Sequence, residues 1–547
     1  MKNKEIQNGN ISSGSNTSFW THSINPIFFE KLNENKETDV VIVGGGISGI
    51  TTAYCLLQSG RKVILVEDGG IGSGETGRTT AHLVTALDDR YYELEKLYGK
   101  EKTKLIAESH RTAIDFIENI CKRKSISCEF ERLNGYLFLH PTDEHESLHK
   151  ELVAARNAEI EVEELQEVPG MLEKIPCLKF SNQAQFHPLK YLRALSNLIV
   201  KEGGEIYTET HASKIDHTGI VTKDGYTITA KHVVVATNSP VNNKYVMHLK
   251  QYPYRTYVIG AKIKKRKVEK ALWWDTGDLS VNKEIPPYHY VRLEEFDADY
   301  NLLICGGEDH PTGVAKEENI SEEDRYGLLE DWARKRFEIE EIIYQWSGQV
   351  MEPMDSLAYI GRNPMDKNNV YIITGDSGNG MTHGTIAGIL LTDLINGKEN
   401  RWEKLYAPSR FKIFTSGKTF FKEFIGGFFN YLTDKPDALQ FEDILSIKNG
   451  EGKIIEIEGK KVGAYRDQED RIHFVDSDCT HLKCTVKWNN DEKSWDCPCH
   501  GSRFSYEGKL LNGPANTDLP YYVEDNILTT FKTQENGTNR IKEQKSY

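Results

Sequence analysis

The sequence predicts a three-part protein: an α/β domain built on a parallel sheet, an antiparallel second lobe interleaved with it, and a small all-β domain at the C-terminus. Three observations predict this. A buried strand runs into a glycine-rich turn and a helix over residues 39–59. Strand and helix patterns then alternate to about residue 406. From residue 453 short strands separated by Gly, Asn and Asp turns replace helix, with four cysteines, His481 and His500 crowded into residues 479–500. A chain of 547 residues exceeds one hydrophobic core, so two or three folding units are expected.

Residues 1–37 are rich in Asn, Ser, Lys and Glu and carry neither an apolar export core nor a twin-Arg pair. They read as a flexible tail, and the expected location is the cytoplasm. Residues 38–406 follow as one interleaved domain. Within it Asp39 to Val43 is a buried strand, Ile47 to Ser59 a helix, and Lys62 to Val66 the next parallel strand. His232 to Ala236 and Val370 to Thr374 read as further central strands, while Tyr252 to Lys262 and Tyr288 to Gly306 suit the antiparallel lobe.

Residues 407–440 form an aromatic linker in which Phe421, Phe424, Ile425, Phe428, Phe429 and Leu432 recur at helical spacing beside Lys418 and Lys422. Such a stripe reads first as a face docked on its own protein, and second as a membrane-surface contact through 410–432. The all-β domain spans 441–533, and 534–547 is a polar tail.

The net charge of −14 argues against nucleic acid as a partner, since phosphates are bound by Lys and Arg stripes. No apolar run reaches the ~18 residues needed to span a bilayer.

Gly44-Gly45-Gly46-Ile47-Ser48-Gly49 fits G-x-G-x-x-G between strand and helix. A pyrophosphate must approach backbone N–H groups at a helix N-terminus, and a Cβ at Gly44 or Gly46 would block it; Gly49 lets the helix pack on the strand. Glu67 ends the second strand, where its carboxylate can accept from ribose hydroxyls. A dinucleotide site follows.

Two further stretches point to FAD. Gly72 to His82, including Arg78, Thr79 and Thr80, resembles the second flavin-contact loop of the D-amino-acid oxidase superfamily, the glycine and sarcosine oxidase group. Thr374 to Gly388, including Gly375, Gly380, Met381 and Thr382, resembles that group's C-terminal flavin motif. The likeness extends to γ-glutamylputrescine oxidases through Phe186-His187-Pro188 and Val235 to Pro240. It implies a Rossmann-like FAD-binding domain with an antiparallel substrate lobe.

One departure is informative. Amino-acid oxidases of the group place an Arg where Val350 stands here, and valine cannot clamp a substrate carboxylate. An amine or an N-substituted amino compound is therefore the expected substrate. Tyr288, Tyr290 and Arg292 are the catalytic candidates, on the strand that faces the flavin in relatives. His82 and His383 read as neighbours of the flavin, not as covalent anchors.

Cys479-Thr480-His481 and Cys497-Pro498-Cys499-His500 give C-x-H and C-x-x-H with 15 residues between them. In a Rieske [2Fe–2S] centre one iron takes two thiolates and the other two imidazoles, which assigns Cys479 and Cys497 to one iron, His481 and His500 to the other. Zinc also accepts Cys₂His₂, but at longer spacing, and would leave Cys484 and Cys499 without a role. The loops resemble those of bc-type Rieske proteins, which implies a Cys484–Cys499 bridge; packed free thiols are the alternative. Asn512 to Ala515 resembles the loop that covers the cluster. Ser502 keeps a hydrogen-bond donor of the respiratory proteins, whereas Phe504 replaces their Tyr, so the potential should fall below theirs.

The whole chain resembles a bacterial family of Rieske iron–sulfur oxidoreductases. The resemblance implies an enzyme that oxidises its substrate at FAD and hands electrons through the cluster to an external acceptor. The alternative is an electron-transfer reductase or redox-sensing module without an amine substrate of its own.

Overall fold

Val40, Val41, Ile42 and Val43 form an unbroken β-branched run, which suits a strand covered on both faces. The strand is β1 (Lys36–Val43), paired in parallel with β2 (Val63–Val66) on one side and β3 (Thr227–Val235) on the other. Glu205–Tyr207 continues the sheet beyond β2; Val370–Thr374 and then Tyr359–Arg362 continue it beyond β3. These positions come from a computed structural model that describes residues 16–242, 247–265, 267–281, 286–313, 322–364, 366–410, 439–440, 444, 446–457 and 459–522. The chain divides into two compact units, Met1–Pro311 with Ala315–Glu423, and Thr312–Val314 with Phe424–Tyr547. The linker stripe from Phe421 to Leu432 lies outside the described residues, as does everything after Tyr522.

Five helices position the site: α1 (Phe19–Ser23), α2 (Ile47–Gln58), α3 (Lys100–Lys124), α4 (Pro188–Lys201) and α5 (Gly380–Ile395). α2 and α5 touch at backbone distance. A Cβ on Gly384 would sit 2.6 Å from Ser48 Oγ, and one on Gly388 2.7 Å from the Thr51 methyl. The second flavin motif is thereby pressed against the dinucleotide helix.

The second lobe is a nine-stranded sheet. Its reading face comes from β4 (Gln251–Lys264), β5 (Tyr290–Glu295), β6 (Tyr300–Pro311) and β7 (Ile342–Pro353), in spatial order β7-β4-β6-β5. All three pairings are antiparallel. The second unit contains a five-stranded and a four-stranded sheet among its described residues. Trp495 is fully buried there, and a Cβ on Gly463 would come within 2.8 Å of its ring.

The N-terminal segment departs from the expected tail. From Asn16 onward it is packed on the first unit: Trp20 is fully buried, and its indole donates to the Thr79 carbonyl at 2.6 Å. Ser18 Oγ donates to the Gly77 carbonyl at 2.5 Å, and the Arg78 guanidinium donates to the Asn16 carbonyl at 2.9 Å. Leu32 N–H reaches Thr210 Oγ1 at 3.1 Å. The reason is local: a few apolar residues in a polar stretch are enough once their backbone groups find partners on a folded surface.

Removing this anchor by Trp20→Ala should lower stability by about 3–5 kcal/mol in a denaturant titration. A dispensable tail would leave the midpoint unchanged.

Candidate functional site

At the dinucleotide turn, Gly44 has φ +114°, and a Cβ there would lie 2.3 Å from the Ala236 carbonyl oxygen. A Cβ on Gly49 would lie 1.9 Å from the Gly44 carbonyl oxygen. Only glycine satisfies both positions. Gly46 caps α2 without a side-chain hydrogen bond, so the positive end of that helix faces the turn. Ile47 and Ser48 open the helix, with Ile47 N–H donating to Thr76 Oγ1 at 3.1 Å. Glu67 accepts from Gly45 N–H at 2.5 Å and Gly69 N–H at 2.9 Å, which fixes its carboxylate beside the turn. Burial raises its pKa, opposed by those backbone donors. A helix start, a cleared backbone and an oriented carboxylate fit the pyrophosphate and ribose of FAD.

The loop Arg78–His82 is braced by the protein on every side. The Arg78 guanidinium donates to the Ser347 carbonyl at 2.7 Å and so ties this loop to β7. Thr79 Oγ1 accepts from Ala81 N–H at 3.0 Å, and Thr80 Oγ1 meets His82 Nδ1 at 3.1 Å. His82 Nε2 lies 3.2 Å from the Val291 carbonyl oxygen, and burial with the nearby Arg292 charge lowers its pKa to about 3. The ring is neutral and donates one N–H.

Arg292 requires a correction. It is fully buried and donates to the carbonyls of Thr80 (3.2 Å), Ala81 (3.1 Å) and Phe186 (3.0 Å), while pairing with Glu294. Its guanidinium also stacks 5.1 Å over the Trp20 ring. A cation so occupied is a brace for the flavin-contact loop and cannot clamp a substrate.

In the C-terminal motif Gly375 takes φ +70°, and Gly380, Met381 and Thr382 start α5 with Met381 and Thr382 buried. Thr382 Oγ1 lies 2.8 Å from His110 Nδ1. His383 is buried against the His110 and Tyr406 rings, with Nδ1 2.9 Å from the Asp376 carbonyl oxygen; burial lowers its pKa to about 4.

Tyr288 and Tyr290 border a recess that contains three carboxylates. The Tyr288 hydroxyl is hydrogen-bonded to Asp88, and Ser377 Oγ donates to Glu352 at 2.8 Å. Tyr290 and Thr256 share a 2.6 Å hydroxyl contact, and Thr256 is hydrogen-bonded to Asp309. Val350 and Glu352 lie two residues apart on β7 and so share a face, opposite Tyr254 and Tyr252 of β4. Where the resemblance leads one to expect an Arg, the strand thus offers a valine and then a carboxylate. Asp309 Oδ1 is buried without a hydrogen-bond partner. Burial raises the pKa of all three acids, Asp309 to about 7 and Glu352 well above its usual range. Asp88, Asp309 and Glu352 were not anticipated from the sequence. Only Glu352 had a signal, its period-two spacing from Val350.

In the second unit the two ligand loops converge. Cys479 and Cys497 are buried and hydrogen-bonded to one another; the Cys497 thiol holds Cys479 down to about 7 and is itself pushed up. The His481 and His500 rings pack edge to face with centroids 5.0 Å apart. Cys484 and Cys499 form a disulfide. The sulfurs of Cys484, Cys497 and Cys499 lie within 4.8 Å of one another, but two of these are bonded together and cannot ligate. Two thiols and two imidazoles remain, the donor set of a Rieske centre. Ser502 Oγ accepts from Ala515 N–H at 2.9 Å and is hydrogen-bonded to Cys479. Phe504 is fully buried among these cysteines. Behind the loops Arg503, fully buried, donates to Asp496 at 3.1 Å.

Comparison with known proteins supports both cofactors, FAD and a [2Fe–2S] cluster. The FAD dependent oxidoreductase (DAO) family matches residues 39–394, and the Rieske [2Fe-2S] domain family matches residues 440–523. YhfW of Bacillus subtilis (strain 168), named as a Rieske 2Fe-2S iron-sulfur protein, is 35% identical over 91% of this chain and 96% of its own. Gamma-glutamylputrescine oxidoreductase of Escherichia coli (strain K12) is 25% identical over 69% of this chain and 87% of its own. The crystal structure of glycine oxidase from Geobacillus kaustophilus superposes with a TM-score of 0.56 at 18% identity, covering 69% of this chain and all of that one. Among the described residues no helix is long and apolar enough to cross a membrane.

Phe504→Tyr should raise the cluster's reduction potential in a protein-film or EPR-monitored titration. One added hydrogen bond is worth about 0.5–1.5 kcal/mol, which corresponds to roughly 20–60 mV for one electron. A fall, or no change, would mean that the new hydroxyl does not reach a cluster sulfur.

Proposed function

This chain belongs to the FAD-dependent oxidoreductase family, and we propose that it oxidises a cationic amine and passes the electrons through its Rieske cluster to an external acceptor. The observation that carries the substrate half is the recess lined by Asp88, Asp309 and Glu352, together with both terminal nitrogens of Arg292 being committed to Glu294 and backbone carbonyls. An ammonium entering there would favour the ionised form of these acids and be held by it, whereas a substrate carboxylate would oppose their ionisation. The relative named for an oxidised putrescine derivative is in keeping with such a substrate.

FAD supplies a two-electron acceptor and the [2Fe–2S] cluster a one-electron one. The chain's own residues have three tasks. The glycine turn, Glu67 and the start of α5 hold the cofactor. Tyr252, Tyr254, Tyr288 and Tyr290 wall the recess and limit water within it. Asp309 Oδ1, its pKa raised to about 7, is suited to take the ammonium proton before the C–H bond next to nitrogen is oxidised. A one-electron relay is useful when the acceptor is not O₂, so dehydrogenase activity is expected to exceed oxidase activity. The five thiols of Cys55, Cys121, Cys128, Cys177 and Cys305 are in keeping with a reducing compartment, the cytoplasm.

Anaerobic addition of di- and monoamines should bleach the flavin and develop the EPR signal of the reduced cluster, while glycine and simple D-amino acids should do neither. Flavin bleaching without cluster reduction would refute the relay, and no bleaching by any amine would favour the redox-module alternative. For an active amine at about pH 8, Asp309→Asn should raise KM about tenfold or more, equivalent to the loss of roughly 1.4 kcal/mol of attraction.

The pH dependence has a definite sign. An acid whose pKa is raised to about 7 is neutral below that value and attracts a cation only above it. KM for the amine should therefore fall as pH rises from about 6 to 8, and Asp309→Asn should flatten that limb.

A further inference from the structure

Cys121 and Cys128 look like two more scattered cysteines in the sequence, yet they meet in the fold. Cys121 lies in the last turn of α3 and Cys128 in the loop that follows, with their sulfurs 3.4 Å apart. A covalent S–S bond is ~2.05 Å long, so bonding requires an approach of only about 1.4 Å. Ser125 (φ 52°), inside this turn, and Glu129 (φ 54°), just after Cys128, both take the left-handed region without being glycine. The loop is held by its surroundings in a shape that its own residues do not favour, and that shape brings the sulfurs together. Tyr191 of α4 is fully buried beside both thiols and Cys55 of α2.

We propose that Cys121 and Cys128 are an oxidisable dithiol, a modification site that closes to a disulfide under hydrogen peroxide and is reopened by a thiol reductant. The chemistry balances in two steps. Peroxide oxidises one thiol to a sulfenic acid and leaves as water; the second thiol then displaces a second water as the S–S bond forms. Cys121 takes the first step, because it is 7% exposed against 1% for Cys128 and its thiol is held low by the hydrogen bond with Cys128. Cys128, pushed up by the same contact, resolves the intermediate.

The pair is wired to the flavin-contact loop. The Cys128 carbonyl accepts from His187 N–H at 2.7 Å; the preceding residue, Phe186, accepts from Arg292, which also holds the Thr80 and Ala81 carbonyls. Closing the bridge moves the backbone at one end of that chain, and the oxidised protein should hold FAD less tightly.

The test uses full-length holoprotein, reduced, desalted and titrated with hydrogen peroxide, then denatured and alkylated. Trypsin cuts after Lys122, Arg123 and Lys124, so the two cysteines fall on separate peptides that only a bridge can join. The expected result is a joined pair that dithiothreitol abolishes, with Cys177 and Cys305 still alkylated. Cys128→Ser should instead accumulate a dimedone adduct at Cys121. Full alkylation of both thiols, after peroxide that oxidises free glutathione completely, would overturn the proposal. Should Cys128→Ser fail to fold, the peptide map of the unaltered chain decides alone. FAD retention on a desalting column, compared before and after peroxide in the unaltered chain and in the Cys121→Ser/Cys128→Ser variant, reads the coupling. A drop confined to the unaltered chain supports it, and equal retention overturns it.

Discussion

The first unit depends on one buried guanidinium. Moving a charge out of water costs several kcal/mol unless it is paired and fully hydrogen-bonded. Arg292 comes close to that condition through Glu294, three backbone carbonyls and the face of Trp20, with only its Nε left without a hydrogen-bond partner. Those partners come from β5, the flavin-contact loop, the segment before α4 and the N-terminal helix. It adds a shared centre to the direct bonds among them, such as the Trp20 indole on the Thr79 carbonyl and Gln185 on the Leu293 carbonyl. Burial raises Glu294 and lowers Arg292, yet each partner opposes the other's shift, so the pair stays ionised only as a pair.

That arrangement decides the charge of the recess. With Arg292 engaged below the flavin-contact loop, the groups bordering the recess are Asp88, Asp309, Glu352, tyrosine hydroxyls and Ser377. On the opposite side of β5's approach, His289 sits between Asp275 (3.0 Å) and Glu308 (3.1 Å) and stacks on Trp332. Burial opposes its charge, but the two acids raise its pKa to about 9, so it stays cationic there. The sheet therefore holds Arg292 and His289 in ion-paired networks and leaves acids, not cations, beside Tyr288 and Tyr290.

The parts of this architecture that were legible in the sequence are those that short-range chemistry dictates. The β-branched run of β1, the glycines that a pyrophosphate demands and the C-x-H spacing are all local constraints. Alternation was also correct as far as it goes: Tyr290 and Arg292 do share a face of β5. What it could not say is what covers that face: a loop 212 residues away takes the Arg292 guanidinium onto its Thr80 and Ala81 carbonyls, while it meets Tyr290 only through the edge of the His82 ring. Asp309 and Glu352 are brought to either side of β4 by its pairings with β6 and β7, Asp88 joins them through Ser377 and Tyr288, and the three carry no common spacing. The N-terminal segment escaped notice because α1 is five residues long, too short for periodicity, and its anchor is a single tryptophan. The contact of Cys121 with Cys128 depends on two left-handed residues that no propensity predicts.

Sulfur is sorted in the second unit by the same kind of prior commitment. Four thiols within a few ångströms could bind a soft cation such as zinc in several ways. Bonding Cys484 to Cys499 withdraws two of them, and the remaining thiols, Cys479 and Cys497, come from different loops, each with a histidine nearby in sequence. The disulfide thus restricts the donor set to two sulfurs and two imidazoles before any metal arrives. It also ties together the two loops that must stay in register for both irons to be held. A chain with the four cysteines reduced would keep the same residues yet lose the selection among them. The specificity of the site therefore rests on which sulfurs are removed from competition as much as on which are offered.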